Sequence, residues 1–219
     1  MGSPILGHHP QKGQPVSALT KEQIDFLKSQ KISLRDVFDA TGLTRSQYQT
    51  AMEATGQHFA CGVTPCTAAG HRLRSKSGDC IQCNTVKIAF TLRHYKDAVV
   101  YIAGSYERRL IKVGLTTDRQ KRELELCKYA YGGASDWEML AWAKTKNAGK
   151  VEFMVHSTLQ TFRVPGTYTR NGYKQDCYEI FRCSYKEAKG AVLNCLPADA
   201  ELTAPKEERG LRVYAFGPA

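Results

Sequence analysis

The chain has 219 residues, 42% of them hydrophobic, and a formal net charge of +10 at pH 7. No apolar run reaches the roughly 18 residues that span a bilayer, and residues 1–17, rich in Gly, Pro and His, lack the apolar stretch of an export signal. Length and composition therefore argue against a membrane partner or an exported chain, and fit a cytoplasmic protein of one domain with small appendages.

The charge is unevenly spread. Residues 61–96 carry +5 and residues 98–195 carry +6. A basic surface of this kind attracts polyphosphate backbones, although solubility alone gives a bland reason for it.

Residues 1–17 are expected to be disordered, and residues 18–57 to be helical. Thr20, followed by Glu22 and Gln23, opens a helix carrying Ile24, Phe26 and Leu27. Ser33 is a cap for a helix over 34–40, which Gly42 ends, and Thr44 caps another that carries Tyr48 and Met52. Short helices around a Gly-containing turn resemble a helix-turn-helix, as would any small helical bundle.

Residues 58–97 form the next unit, a metal-binding module and connector. Residues 58–84 are loop-like and rich in Gly and Cys. Cys80 and Cys83, preceded by Gly78, have the spacing with which two thiolates grip one tetrahedral zinc. Cys66 and His71, with Gly70 allowing a tight turn, complete a structural Zn²⁺ site of three cysteines and one histidine. Cys61 in place of His71 gives an all-cysteine alternative, and free thiols are the plain one. Arg72, Arg74 and Lys76 lie between the ligand pairs as candidate phosphate contacts. Residues 85–95 are ambiguous, since Ile88, Phe90 and Leu92 alternate like a strand but also suit a buried helix.

Residues 98–195 read as one domain. Two apolar runs over 99–115, joined by the polar turn Ser105-Tyr106-Glu107-Arg108-Arg109, predict a hairpin. A helix follows over 119–129, a third strand over 137–143 with Trp137, Met139, Ala141 and Ala143 on one face, and an amphipathic helix over 148–162. Residues 164–175, with Pro and Gly, read as a loop. Residues 177–183 read as extended, and 185–194 as a last helix. The tail, 196–219, is expected to have little fixed structure before residues 211–216. The fold class expected is α+β: a small, mainly antiparallel three-stranded sheet flanked by helices, behind a helical region and a zinc knuckle.

Val100-Tyr101-Ile102 followed by Lys112-Val113-Gly114, an Arg eight residues past that Gly, and a Glu on a later helix resemble the GIY-YIG nuclease superfamily over about residues 98–182. The likeness is greatest to its phage and restriction-associated branch, whose second motif begins with Lys. The resemblance implies a DNA endonuclease in which Tyr101, Lys112, Arg122 and Glu152 are catalytic and Glu152 holds Mg²⁺ or Mn²⁺; His156 is a further catalytic candidate from its spacing alone. Lys112 stands where most members have a second Tyr. Glu179 occupies the late position at which many have Asn.

The chemistry agrees. A phosphodiester resists attack until its charge is neutralised, which a cation on Glu152 and the Arg122 guanidinium would do. Tyr101 or Lys112 would orient water and take its proton, and Lys112 would need a lowered pKa to do so. His156, four residues after Glu152, shares its helix face and either moves protons, touches phosphate or partners Glu152. Arg119 is a DNA contact or a solvated charge. Tyr129, Tyr131, Tyr168 and Tyr173 are stacking candidates or simple packing. The expected partner is DNA, double-stranded by preference, with a homodimer as one way to cut both strands. Restriction or mobile-element DNA processing is the expected setting. The alternative is a nucleic-acid-binding protein whose nuclease-like domain is inactive.

Overall fold

The computed structural model describes residues 19–205 and 208–217. The expected disordered start, residues 1–17, lies outside them. The fold is α+β, and it divides into two compact units at Leu92/Arg93.

The first unit begins with α1 (Lys21–Ser29), closed by the Thr20–Gln23 capping box. Ser33 does cap a turn, but only a 3₁₀ turn, Leu34–Asp36. The chain then enters β1 (Val37–Asp39), not the helix expected over 34–40. β-branched Val37 and aromatic Phe38 are buried there and suit a strand. Because β1 separates α1 from α2 (Arg45–Thr55, capped by Thr44), the helix-turn-helix expectation is corrected. The loop-like stretch supplies β2 (Phe59–Cys61) and β3 (Arg74–Ser75), giving a sheet ordered β1-β2-β3 with a parallel and an antiparallel pair. The ambiguous residues resolve as a helix, α3 (Val86–His94).

The second unit is built on a five-stranded antiparallel sheet in the order β6-β4-β5-β8-β7. Its strands are β4 (Ala98–Ser105), β5 (Leu110–Thr116), β6 (Glu138–Thr145), β7 (Arg163–Arg170) and β8 (Tyr173–Phe181). Three were expected, and the β7–β8 hairpin replaces the loop predicted over 164–175. Its turn is Asn171-Gly172, both at positive φ, a pair of residues well suited to a two-residue hairpin. A register shift opposite Ile102/Ala103 puts Leu140 and Ala141 on one face and Met139 on the other, so the single face expected for the third strand is split.

Around the sheet lie α4 (Arg119–Lys128), α5 (Ala148–Thr158), α6 (Tyr185–Cys195) and the short α7 (Glu208–Leu211). Val100, Ile102, Ile111 and Val113 pack one face of the sheet against Val151 and Val155 of α5 and Ala188 and Val192 of α6. Leu211, Tyr214 and Phe216 of the tail are buried in the same core. Tyr101, Ala103 and Leu110 pack the opposite face with Leu126, Tyr131 and Trp137.

Candidate functional sites

In the first unit, the ligand atoms of Cys66, His71, Cys80 and Cys83 lie within 4.8 Å of one another. Cys66 Sγ is 3.7 Å from Cys83 Sγ, and His71 Nδ1 is 3.3 Å from Cys83 Sγ and 3.7 Å from Cys80 Sγ. A tetrahedral zinc with Zn–S bonds near 2.3 Å sets its sulfur ligands about 3.8 Å apart. The cluster therefore could hold a metal such as zinc. The loop is tied by Cys66 N–H to His71 O and Gly70 N–H to Cys66 O, each 2.9 Å. Cys61, the alternative ligand, is fully buried on β2 and is not among the four residues whose ligand atoms converge.

The three basic residues between the ligand pairs do not share one role. Arg74 donates to the carbonyls of Thr64, His71 and Leu73, so its guanidinium stiffens the loop. Lys76 is buried and ion-paired with Glu53. Both side chains are thus engaged within the unit rather than facing solvent alone. Arg72 is exposed and stays a candidate phosphate contact.

The second unit holds a larger polar cluster. Tyr101 on β4 faces Gly114 on β5 in register. A Cβ at Gly114 would lie 2.6 Å from the Tyr101 hydroxyl, so the ring needs glycine there. Arg122 on α4 donates from Nε to that hydroxyl at 3.1 Å. The β5–β8 ladder has only two pairs, Ile111↔Phe181 and Lys112↔Ile180. Beyond them the Val113 carbonyl bonds His156 Nε2 at 2.9 Å instead. This lapse in pairing lets groups from both faces of the sheet meet.

Lys112, with no exposed surface, donates from Nζ to Glu179 Oε2 at 2.6 Å and lies 4.5 Å from the Tyr131 ring centroid. Burial alone disfavours its charge, but Tyr101, Glu179 and Tyr131 outweigh it and raise its pKa above the ordinary lysine value. The lowered pKa that a lysine base would need is thus the reverse of what the structure holds. Burial works against the Glu179 charge too, yet Lys112 above all, with Arg93, holds its carboxyl down to about 2. The Tyr131 hydroxyl donates to Glu179 at 3.3 Å.

Glu152 is 5% exposed. Its Oε2 accepts from Arg93 Nη2 at 2.7 Å, and the same nitrogen is 3.8 Å from Glu179 Oε1. Its Oε1 is buried with no hydrogen-bond partner among the described residues. Such an oxygen carries a desolvation cost that a bound cation would relieve. Gly149, one turn earlier on α5, lies so close to the Arg93 carbonyl that a side chain there would collide with it, which fixes Arg93 near Glu152. Because Val113 offers a carbonyl, His156 Nε2 must carry the proton in that bond. Burial holds the His156 pKa below the usual value, so the ring is neutral.

The structure therefore joins Tyr101 to Arg122 directly, and Lys112 to Glu152 through Glu179 and Arg93. Arg93 was missed in the sequence, and nothing in its local pattern marks it. Arg119 is a half-buried cation 3.7 Å from the Trp142 ring centroid. Residues 98–196 match the family model of the T5orf172 domain, which is found in phage and bacterial endonuclease-like proteins. Nothing among the curated proteins or the solved structures matches the chain. The domain match suggests nuclease or nucleic-acid-binding function. Among the described residues no helix is long and apolar enough to cross a membrane.

Proposed function

We propose that the second unit is a GIY-YIG-type, metal-dependent endonuclease that hydrolyses DNA phosphodiesters, in restriction or mobile-element processing. The observation that carries this reading is the buried, unpartnered Oε1 of Glu152 in a cluster that also holds a tyrosine-bonded arginine. Glu152 would hold Mg²⁺ or Mn²⁺, which as a Lewis acid would neutralise the phosphate and its leaving oxygen.

The chain's own groups divide the remaining work. Arg122, oriented by Tyr101, binds nonbridging phosphate oxygens as charge builds. Lys112 keeps its proton and supplies fixed positive charge. That leaves the Tyr101 oxygen, which accepts from the phosphate-binding arginine, as the group of the two placed to take a proton from water once its own phenolic proton has passed to solvent. His156 is a positioning residue: its bond to Val113 pins α5 to β5 and so aims Glu152.

Cutting both strands then takes a second copy or two successive nicks. The contrary reading, a binding protein with an inactive domain, is favoured by the Arg93–Glu152 ion pair, which already occupies one carboxylate oxygen. Supercoiled plasmid separates them. Nicking with Mg²⁺ that EDTA stops supports the nuclease, and retardation without nicking supports the binder.

A further inference from the structure

Beside the catalytic cluster lies an open cavity of about 320 Å³. Its walls include Tyr129, Tyr131, Tyr168, Tyr178, Arg170 and Asp176, and it shares Arg122 and Glu179 with that cluster. The volume is at the low end for a small-ligand site, too small for a duplex and suited to a single nucleotide. The Tyr131 and Tyr168 rings lie 4.8 Å apart and tilted by 33°, and the Arg170 guanidinium sits 5.5 Å from the Tyr129 ring centroid. Lys112 and Tyr168 already cover Tyr131, so the stacking surface is that of exposed Tyr178 and half-buried Tyr168, and ring faces of this kind stack on bases whatever their sequence.

Simple packing accounts for Tyr131 and Tyr168, which join the core, but not for the rest of the group. Tyr178 is 58% exposed, and Arg170 and Asp176 are exposed as well. The Asp176 carboxylate accepts a long bond, 3.3 Å, from the Tyr178 hydroxyl. A carboxylate on the wall of a stacking pocket accepts from an exocyclic amine, which adenine, cytosine and guanine carry and thymine lacks.

We propose that this cavity holds one unpaired, amino-bearing nucleobase of the substrate strand, stacked on tyrosine, with its adjoining phosphate at Arg122. This rests on the reading of the second unit as acting on nucleic acid. It adds a substrate class: strands with an unstacked base next to the cut, such as single strands, bulges or flipped nucleotides.

The test uses the full chain carrying Glu152→Gln and a single-stranded oligonucleotide with one 2-aminopurine, in buffer without divalent cations. Base stacking should change the fluorescence saturably. Tyr178→Ala and Tyr168→Ala should each weaken that signal about 10-fold, and Tyr168→Phe should restore it. Free dAMP, dCMP or dGMP should compete better than dTMP. Equal affinity in parent, Tyr178→Ala and Tyr168→Ala would overturn the pocket, as would competition by dTMP equal to the rest. Cleavage by the unsubstituted chain is assayed in parallel. Cleavage without tyrosine-dependent binding sinks the pocket alone, whereas tyrosine-dependent binding without cleavage sinks the nuclease reading alone.

Discussion

The two polar clusters solve opposite problems. Cys66, His71, Cys80 and Cys83 come from 18 consecutive positions and bring thiols and an imidazole together with no opposing charge among them. Tyr101, Lys112, Arg122, Glu152 and Glu179 come from five elements, and their charges pair: Lys112 with Glu179, Arg93 with Glu152, Arg122 with Glu125. The first cluster is one that an ion such as zinc could complete. The second is largely neutralised by its own side chains, leaving one oxygen of Glu152 unsatisfied. One site would thus use its metal to fold, and the other would be folded before its metal arrives.

The largest effect expected of that contrast is on chelation. Structural zinc contributes on the order of 10 kcal/mol in small modules. Stripping zinc, or Cys80→Ser, should abolish amide-exchange protection at β2 and around Ile81 while leaving β4 and β5 protected. Loss of protection in both units together would erase the contrast.

Lys112→Ala comes next. It leaves Glu179 without its main partner and opens a cavity. Breaking a buried pair costs about 3–5 kcal/mol, and about 3 is expected here because the Glu179 side chain keeps 36% exposure. Urea unfolding of the second unit measures it. A change below about 1 kcal/mol would show that the pair contributes little to the fold.

Gly114→Ala should cost about 1–3 kcal/mol, because its methyl overpacks the Tyr101 hydroxyl. It should also displace Arg122, so cleavage should fall further than stability does. Thermal melting and cleavage rates on one preparation test that difference.

The smallest effect is the pH dependence. The pKa values of His156 and Glu179 are both depressed in the folded protein. Each therefore adds stability above its unfolded value, and that stability is lost as pH falls. Stability should decline gently below about pH 6.5, where unfolded histidine takes its proton, and again from about 4.5 toward 2. Glu179→Gln should shrink the second decline and leave the part that Asp136, also held low, contributes.

What could be read from the chain follows the same division. The Cys and His spacing, the Thr20 and Thr44 caps and the hairpin around Tyr106 are local patterns, and each stands in the structure. Asn171-Gly172 was also a local signal, but Pro165 and Gly166 upstream masked it, because the hairpin bulges at those residues. Arg93 lies 59 positions from Glu152, and no spacing rule reaches that far. The charge state of Lys112 was invisible for a related reason. It depends on Tyr131 and Glu179, which the fold brings in from 19 and 67 residues away.

The most direct test of the account compares cleavage by the unsubstituted chain, Glu152→Gln and Arg122→Ala on duplex DNA with Mg²⁺, with circular dichroism to verify folding. The account predicts Mg²⁺-dependent cuts in the first, a fall of about 10²–10³ in each variant, and unchanged spectra. Full-rate cleavage by either folded variant would contradict it.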